Sequence, residues 1–139
     1  MSVRIVRLGS PRLPGEGVRI GTVRHPPRGV ARSAWSTGDW FDAWYPELAP
    51  SACLLREARD AGLAAGGEVA WRRFERRYRR EMAAPAPRRT LELLAALSHG
   101  ADFSVGCYCA DPARCHRSVL GALLRAAGAE VADAPPGLS

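Results

Sequence analysis

The residues best suited to chemistry lie in one short segment, Cys107 to Arg117, which holds three cysteines, one histidine and two arginines. Strand alternation would place Cys107 and Cys109 on one face and Tyr108 on the other. Asp111 is a good helix cap, and the helix after it would carry Arg114, Cys115, His116 and Arg117 in its first turns. Because a helix N-terminus and neighbouring guanidiniums both stabilise a thiolate, we predict that Cys115 is the most reactive thiol.

This segment predicts an enzyme that uses a cysteine on an anionic substrate. His116 or His25 would move protons, and Cys109 would be the rival nucleophile or a resolving partner of Cys115. The loop Arg24 to Gly29 is stiffened by two prolines and is expected to face the same pocket. Guanidiniums and free backbone N–H groups bind phosphate, sulfate or carboxylate groups. The predicted substrate-binding residues are Arg24, His25, Arg28, Tyr108, Arg114 and Arg117.

A metal site is the second interpretation of the same segment. Cys107, Cys109, Cys115 and His116 form a Cys₃His set that suits zinc or iron, haem iron included. The spacing differs from common zinc motifs, which use cysteine pairs two to four residues apart. Cys53 is expected to be a core residue of a separate helix and at best a remote fourth ligand.

Two further interpretations stay open. Between Arg72 and Arg80, six arginines surround an apolar stripe, and such a face could bind nucleic acid through its phosphates without sequence specificity. The tryptophans could then serve as stacking surfaces, although burial of Trp35, Trp40, Phe41 and Trp44 is favoured. A structural or partner-binding module is the fourth possibility.

Composition narrows these classes. The 139 residues suit one domain, and the net charge of +6 favours anionic partners. All 20 basic residues are arginine, and lysine, asparagine and glutamine are missing. Schiff-base lysines, the phosphate-loop lysine of ATPases and a Cys-His-Asn triad are therefore excluded. With no 20-residue apolar span and no apolar secretion signal, we expect a cytoplasmic protein without a membrane partner.

The elements that must position these residues are predicted to form an α/β domain. Strands are predicted over residues 3–7, 18–23 and 103–109, with a last short strand near 130–131. Helices are predicted over residues 52–65, 68–82, 91–98 and 112–127. Alternation of strands and helices predicts a single three-layer domain, residues 1–134, with a mostly parallel sheet and helices on both faces. Residues 135–139 are expected to be a flexible tail. Ligands bind at the carboxyl ends of such strands, where the loop 110–114 lies.

The pattern resembles a known family. Cys107, Asp111-Pro112 and Cys115-His116-Arg117 are similar to the terminal motif of the DUF488 family, a domain of unknown function. The resemblance continues at Arg24 with Pro27-Arg28-Gly29, at Trp40, at Pro50-Ser51 and at Phe74, Tyr78 and Glu81, and covers Val3 to Val131. Two positions depart from the family: Val23 stands where an aspartate is usual, and Cys109 where an acidic residue is often found. The resemblance implies the fold and supplies no settled activity.

Overall fold

A computed structural model of the chain describes residues 1–60, 62, 67–109 and 115–132. The strands are β1 (Val3–Arg7), β2 (Val18–Gly21), β3 (Ala43–Trp44) and β4 (Phe103–Cys107). The helices are α1 (Ala52–Asp60), α2 (Glu68–Met82), α3 (Pro85–Leu97) and α4 (His116–Ala126). Short 3₁₀ turns lie at Arg32–Ala34 and Pro46–Leu48.

The four strands form one parallel sheet in the order β1-β4-β2-β3. Val131 adds a parallel bridge to Val3 beside β1. In the register, Arg7 lies opposite Cys107, and Gly21 lies opposite Gly106. The carboxyl ends of β1, β2 and β4 therefore meet at one edge, which is the edge where parallel α/β sheets bind ligands. The predicted α/β domain with a parallel sheet is confirmed.

The α-helices bury their apolar sides together against one face of this sheet. Helix α4 packs on β1 and β4, and the stripe Trp71, Phe74, Tyr78 and Met82 of α2 is buried in the same cluster as Val105. The Tyr78 hydroxyl donates to the backbone oxygen of Leu48 at 2.6 Å, so this buried phenol is satisfied. On the opposite face, the loop residues Ser10, Asp39 and Phe41 pack against Arg19 and Gly21 of β2.

A buried ion pair organises that loop-covered face. Arg19 is 0% exposed and donates to both carboxylate oxygens of Glu16, at 2.7 and 2.9 Å. The same guanidinium donates to the backbone oxygens of Ser10 and Asp39, and the Ser104 hydroxyl donates to Glu16. Because the charges and polar atoms are partnered, burial is tolerated, and the loop after β1 is tied to the sheet.

The bounds of β1 and α2 are as predicted, and other elements differ. Helix α3 begins at Pro85 rather than at residue 91, because proline is well tolerated in a first helical turn. Strand β4 ends at Cys107, before Cys109. Strand β3 was not predicted, and it leaves Trp44 39% exposed, so the prediction that Trp44 is buried is wrong.

Several predictions fall on residues that the structure does not describe. These are the end of the first helix at 61 and 63–65, the loop 110–114 and the tail 135–139. Among the described residues, no helix is long and apolar enough to cross a membrane.

Candidate active site

A cleft of about 940 Å³ opens at the carboxyl edge of the sheet. The segments that follow β1, β2 and β4 line it, and Trp40 closes one side. It is near the upper end of the volumes of small-molecule sites. The cysteine segment and the Arg24 to Gly29 loop, predicted to share a pocket, both contribute to its lining.

Three cysteines gather at this edge. The Sγ atoms of Cys107, Cys109 and Cys115 all lie within 4.8 Å of one another. Cys107 ends β4 and Cys115 caps the start of α4, and both are buried, Cys115 to 2% exposure. Cys109 follows the strand end and is exposed at the cleft. One accessible sulfur is thus backed by two buried ones.

His116 has a fixed tautomer. Its Nε2 lies 2.8 Å from the backbone oxygen of Thr22, which only accepts hydrogen bonds, so Nε2 carries the proton. Nδ1 then faces the Sγ of Cys115 at 3.8 Å as an acceptor. Burial lowers the pKa of His116, which keeps the imidazole neutral. His116 therefore holds the Cys115 thiol and is not free to shuttle protons through Nε2.

Arg117 is a buried cation behind the cysteines. It is 2% exposed, and its Nη1 has no hydrogen-bond partner in the part of the chain that the structure describes. Among the residues described, no carboxylate forms an ion pair with it. A buried guanidinium without a counter-charge is costly, and the nearby Cys109 sulfur, whose pKa Arg117 lowers, can supply a negative charge.

The three thiols divide their charge unequally. Hydrogen bonds from Cys107 and then Cys115 lower the pKa of Cys109, and the charge of Arg117 lowers it further. The same contacts raise the pKa values of Cys107 and Cys115, since each donates to its neighbour and a second thiolate would be repelled. A negative charge on this cluster is therefore favoured on Cys109 over Cys107 and Cys115. Burial and charge disfavour the predicted ranking of Cys115 above Cys109.

Arg24 is held rigidly in the cleft wall. Its Nε donates to the backbone oxygen of Pro50 at 3.1 Å, and its Nη2 donates to that of Ala49 at 3.2 Å. Those carbonyls precede Ser51, whose N–H and hydroxyl both donate to the carboxylate of Glu81 on α2. Helix α2 therefore positions the Arg24 guanidinium through the start of α1.

The two cleft loops are joined by Tyr108. Its hydroxyl donates to the backbone oxygen of His25 at 2.8 Å, and its own backbone oxygen accepts from Arg7 Nε at 3.4 Å. His25 and Arg28 are exposed on the cleft wall. The described lining includes Arg7, Arg24 and Arg28 and contains no carboxylate, so it favours an anion.

The structure distributes the predicted site residues as follows. Those that line the cleft are Arg24, His25, Arg28, Cys107, Tyr108, Cys109 and His116. Cys115 and Arg117 are buried behind it, and Arg114 lies outside the described residues. Cys53 is exposed on α1, so the prediction that it is a core residue is wrong.

Sequence reasoning missed Arg7 and Trp40 as cleft residues. Arg7 is the last residue of β1. Because a parallel sheet places the carboxyl ends of its strands at the ligand edge, the position of Arg7 in the cleft could have been predicted. Trp40 reaches the cleft through a loop whose path no periodicity indicates.

The arginine-rich face of α2 lies on a different part of the molecule. Arg72, Arg77 and Arg79 are ion-paired with Glu68, Glu57 and Glu75. The ion pairs offset half of the charge that would attract a phosphate backbone. Nucleic-acid binding by this face stays a prediction.

Comparison with known proteins identifies the family. The model of DUF488-N3a, described as the active DUF488-N3 subclade, matches residues 3–128. No curated protein and no solved structure matches the chain significantly. The match spans both cleft loops and the cysteine cluster, and the chain belongs to the DUF488 family.

Proposed function

We propose that this protein is a cysteine-dependent enzyme that acts on an anionic substrate in the cleft, with Cys109 as the nucleophile. The observation that carries the proposal is the position of the Cys109 sulfur. It is exposed at a basic cleft whose described lining has no carboxylate, it lies within 4.8 Å of two buried sulfurs, and the charge of the buried Arg117 acts on it. The description of the matched subclade as active is in keeping with an enzyme.

Cys109 has what a nucleophile needs, and Cys115 lacks part of it. A thiolate must be charged and must reach the substrate. Two thiol hydrogen bonds and the charge of Arg117 stabilise a negative charge on Cys109, whereas Cys115 is 2% exposed and its pKa is raised. We assign Cys115 and Cys107 as donors that support the Cys109 thiolate, and His116 as the residue that orients Cys115.

The arginines of the cleft would hold the substrate. Arg24 is the most rigid of them, because two carbonyls fix its guanidinium. Arg7 and Arg28 add two more cations, and Tyr108 and His25 link their loops. Sulfur would form a bond to an electrophilic atom of the bound anion while the bond to the leaving group breaks, and the leaving group would keep the electron pair.

A metal site is the second candidate, favoured by a specific arrangement. The three sulfurs lie together. Nδ1 of His116 faces the sulfur of Cys115, while Nε2 donates to the backbone oxygen of Thr22. Metal-bound histidines commonly make such a second hydrogen bond. Zinc or iron, as a bare ion or in haem, could take these ligands, and Cys109 would then be unavailable as a nucleophile.

Limited alkylation separates the two candidates. Purified protein is treated with substoichiometric iodoacetamide at pH 6, and the labelled peptides are mapped by mass spectrometry. Cys53 is the matched control, because it is exposed on α1 away from Arg117. We expect Cys109 to be labelled first, well ahead of Cys53.

Two outcomes would count against the proposal. Faster labelling of Cys53 or Cys115 than of Cys109 contradicts the assigned nucleophile. Protection of Cys107, Cys109 and Cys115 together, relieved by a chelator, would show a metal site instead.

A further inference from the structure

An aromatic corner forms part of the cleft beside the thiolate. The rings of Trp40 and Tyr108 lie 6.0 Å apart between centroids, at 74° to each other. Both side chains are half-buried and line the cleft. A planar ring that stacks on one of these faces would meet the edge of the other, an arrangement that aromatic groups favour.

The corner is held in place before any ligand arrives. A Cβ atom at Gly9 would lie 3.0 Å from Cζ3 of Trp40, and a Cβ at Gly38 would lie 3.0 Å from its Cδ1. The indole therefore occupies space that two glycines leave open. The hydrogen bond from Tyr108 to the His25 backbone fixes the second ring. A preformed surface loses little entropy on binding, so it suits a specific ligand.

The charge of the cleft indicates the other part of the ligand. The described lining residues include Arg7, Arg24 and Arg28 and no carboxylate, so this part of the cleft carries three positive charges. A phosphate monoester carries about −1.5 to −2 charges at neutral pH, whereas a single carboxylate carries one. Forked guanidiniums also match phosphate oxygens geometrically.

We propose that the ligand of this cleft is a nucleoside phosphate. Its base stacks in the corner of Trp40 and Tyr108, and its phosphate binds the arginines. This inference rests on the proposed function only for the reaction of the bound ligand, because binding itself does not require the Cys109 nucleophile. The same chemistry is offered by a free nucleotide and by the phosphorylated end of a nucleic-acid strand.

Calorimetric binding to the Cys109→Ser protein tests the inference without turnover. The probes are the four ribonucleoside 5′-monophosphates, the parent nucleosides and inorganic phosphate. We expect at least one monophosphate to bind ten-fold or more tightly than inorganic phosphate and than its nucleoside. A 5′-phosphorylated oligonucleotide, compared with its unphosphorylated form, separates the two sources. If the phosphorylated oligonucleotide binds more tightly than the monophosphate, the ligand is the end of a nucleic-acid strand. If it binds more weakly, the ligand is a free nucleotide.

Substitution of the corner makes the test specific. Stacking on an aromatic side chain is worth about 1–3 kcal/mol per base, or roughly 5-fold to 150-fold in affinity. Trp40→Leu should weaken the monophosphate by at least five-fold and leave inorganic phosphate within two-fold. Trp44→Leu is the matched control, because Trp44 is exposed outside this cleft. Tyr108→Leu gives a second readout if Trp40→Leu does not fold.

The inference is overturned if none of the four monophosphates binds more tightly than inorganic phosphate. It is also overturned if neither Trp40→Leu nor Tyr108→Leu changes their affinity. Either result leaves the alkylation test of Cys109 untouched, so the failure of the ligand class and the failure of the nucleophile are distinguishable.

Discussion

Replacing Cys109 should destabilise the fold in a way that depends on charge. In the structure, Arg117 is 2% exposed and has no carboxylate partner among the described residues, and its charge lowers the pKa of Cys109. In our proposal, the Cys109 thiolate is the counter-charge of Arg117. Cys109→Ala removes that charge, whereas Cys109→Asp keeps a negative group at the same position.

The size of the effect follows from burial. Loss of one partner from a fully buried ion pair costs about 3–5 kcal/mol, and an exposed pair contributes about 0–1 kcal/mol. Arg117 is buried and Cys109 is exposed, so solvent screens one side of the pair. We therefore expect Cys109→Ala to lower the free energy of unfolding by about 2 kcal/mol, between these limits. Cys109→Asp should recover at least half of that loss.

Urea unfolding at pH 8 measures these differences, with Cys53→Ala as the control for loss of an exposed thiol. A double-mutant cycle with Arg117→Met should give a coupling energy of at least about 1 kcal/mol. Equal destabilisation by alanine and aspartate at position 109, together with a coupling energy near zero, would refute the charge pairing.

Three other predictions follow from particular contacts. Because the folded-state pKa of Cys109 lies below the ordinary value of about 8.5, its stabilisation is complete above that pH and is lost as pH falls. After allowance for solvent screening, the difference in unfolding free energy between wild type and Cys109→Ser should therefore grow by about 1 kcal/mol per pH unit from pH 6 to 8. A difference that does not change with pH would contradict this prediction. Tyr78→Phe leaves the buried backbone oxygen of Leu48 without its donor and should lower the free energy of unfolding in urea by about 1–3 kcal/mol. Tyr45→Phe should cost less, because the Tyr45 hydroxyl contacts the half-buried Thr90. Gly21→Ala would place a Cβ 2.2 Å from Phe41 and should cost about 1–3 kcal/mol or more, whereas Gly100→Ala, which meets nothing within 4 Å, should leave the urea midpoint nearly unchanged.

The parts of the fold that could be predicted are those in which local pattern and tertiary packing agree. Helix α2 has its apolar residues at helical spacing, and they are the residues that the core buries. Strand β1 was predicted with correct bounds for a similar reason, since Val3 to Arg7 alternates as a short strand and a Gly/Pro turn follows it. Strand β3 has two residues and exists through pairing with β2, so no local pattern indicates it.

The candidate site was predicted in composition but not in roles. The motif placed Cys109, Cys115 and His116 together, and parallel-sheet topology placed the Arg24 loop nearby. Which thiol is favoured to carry the charge depends on burial, which spacing does not reveal. Cys115 is buried in a cluster with Val23 and Phe41, while Cys109 is exposed after the strand end. The acceptor of His116, the Thr22 carbonyl, is 94 residues away along the chain.

The pH dependence of Cys109 alkylation tests the central claim most directly. The rate constant for iodoacetamide is measured at Cys109 from pH 5 to 9 in the Cys53→Ser protein, by quenching and peptide mass spectrometry. We predict a rate that changes less than two-fold between pH 6 and 9, because the thiolate is already formed. A rate that falls ten-fold per pH unit below about 8.5, as for an ordinary thiol, would contradict the claim that Cys109 is a stabilised thiolate nucleophile.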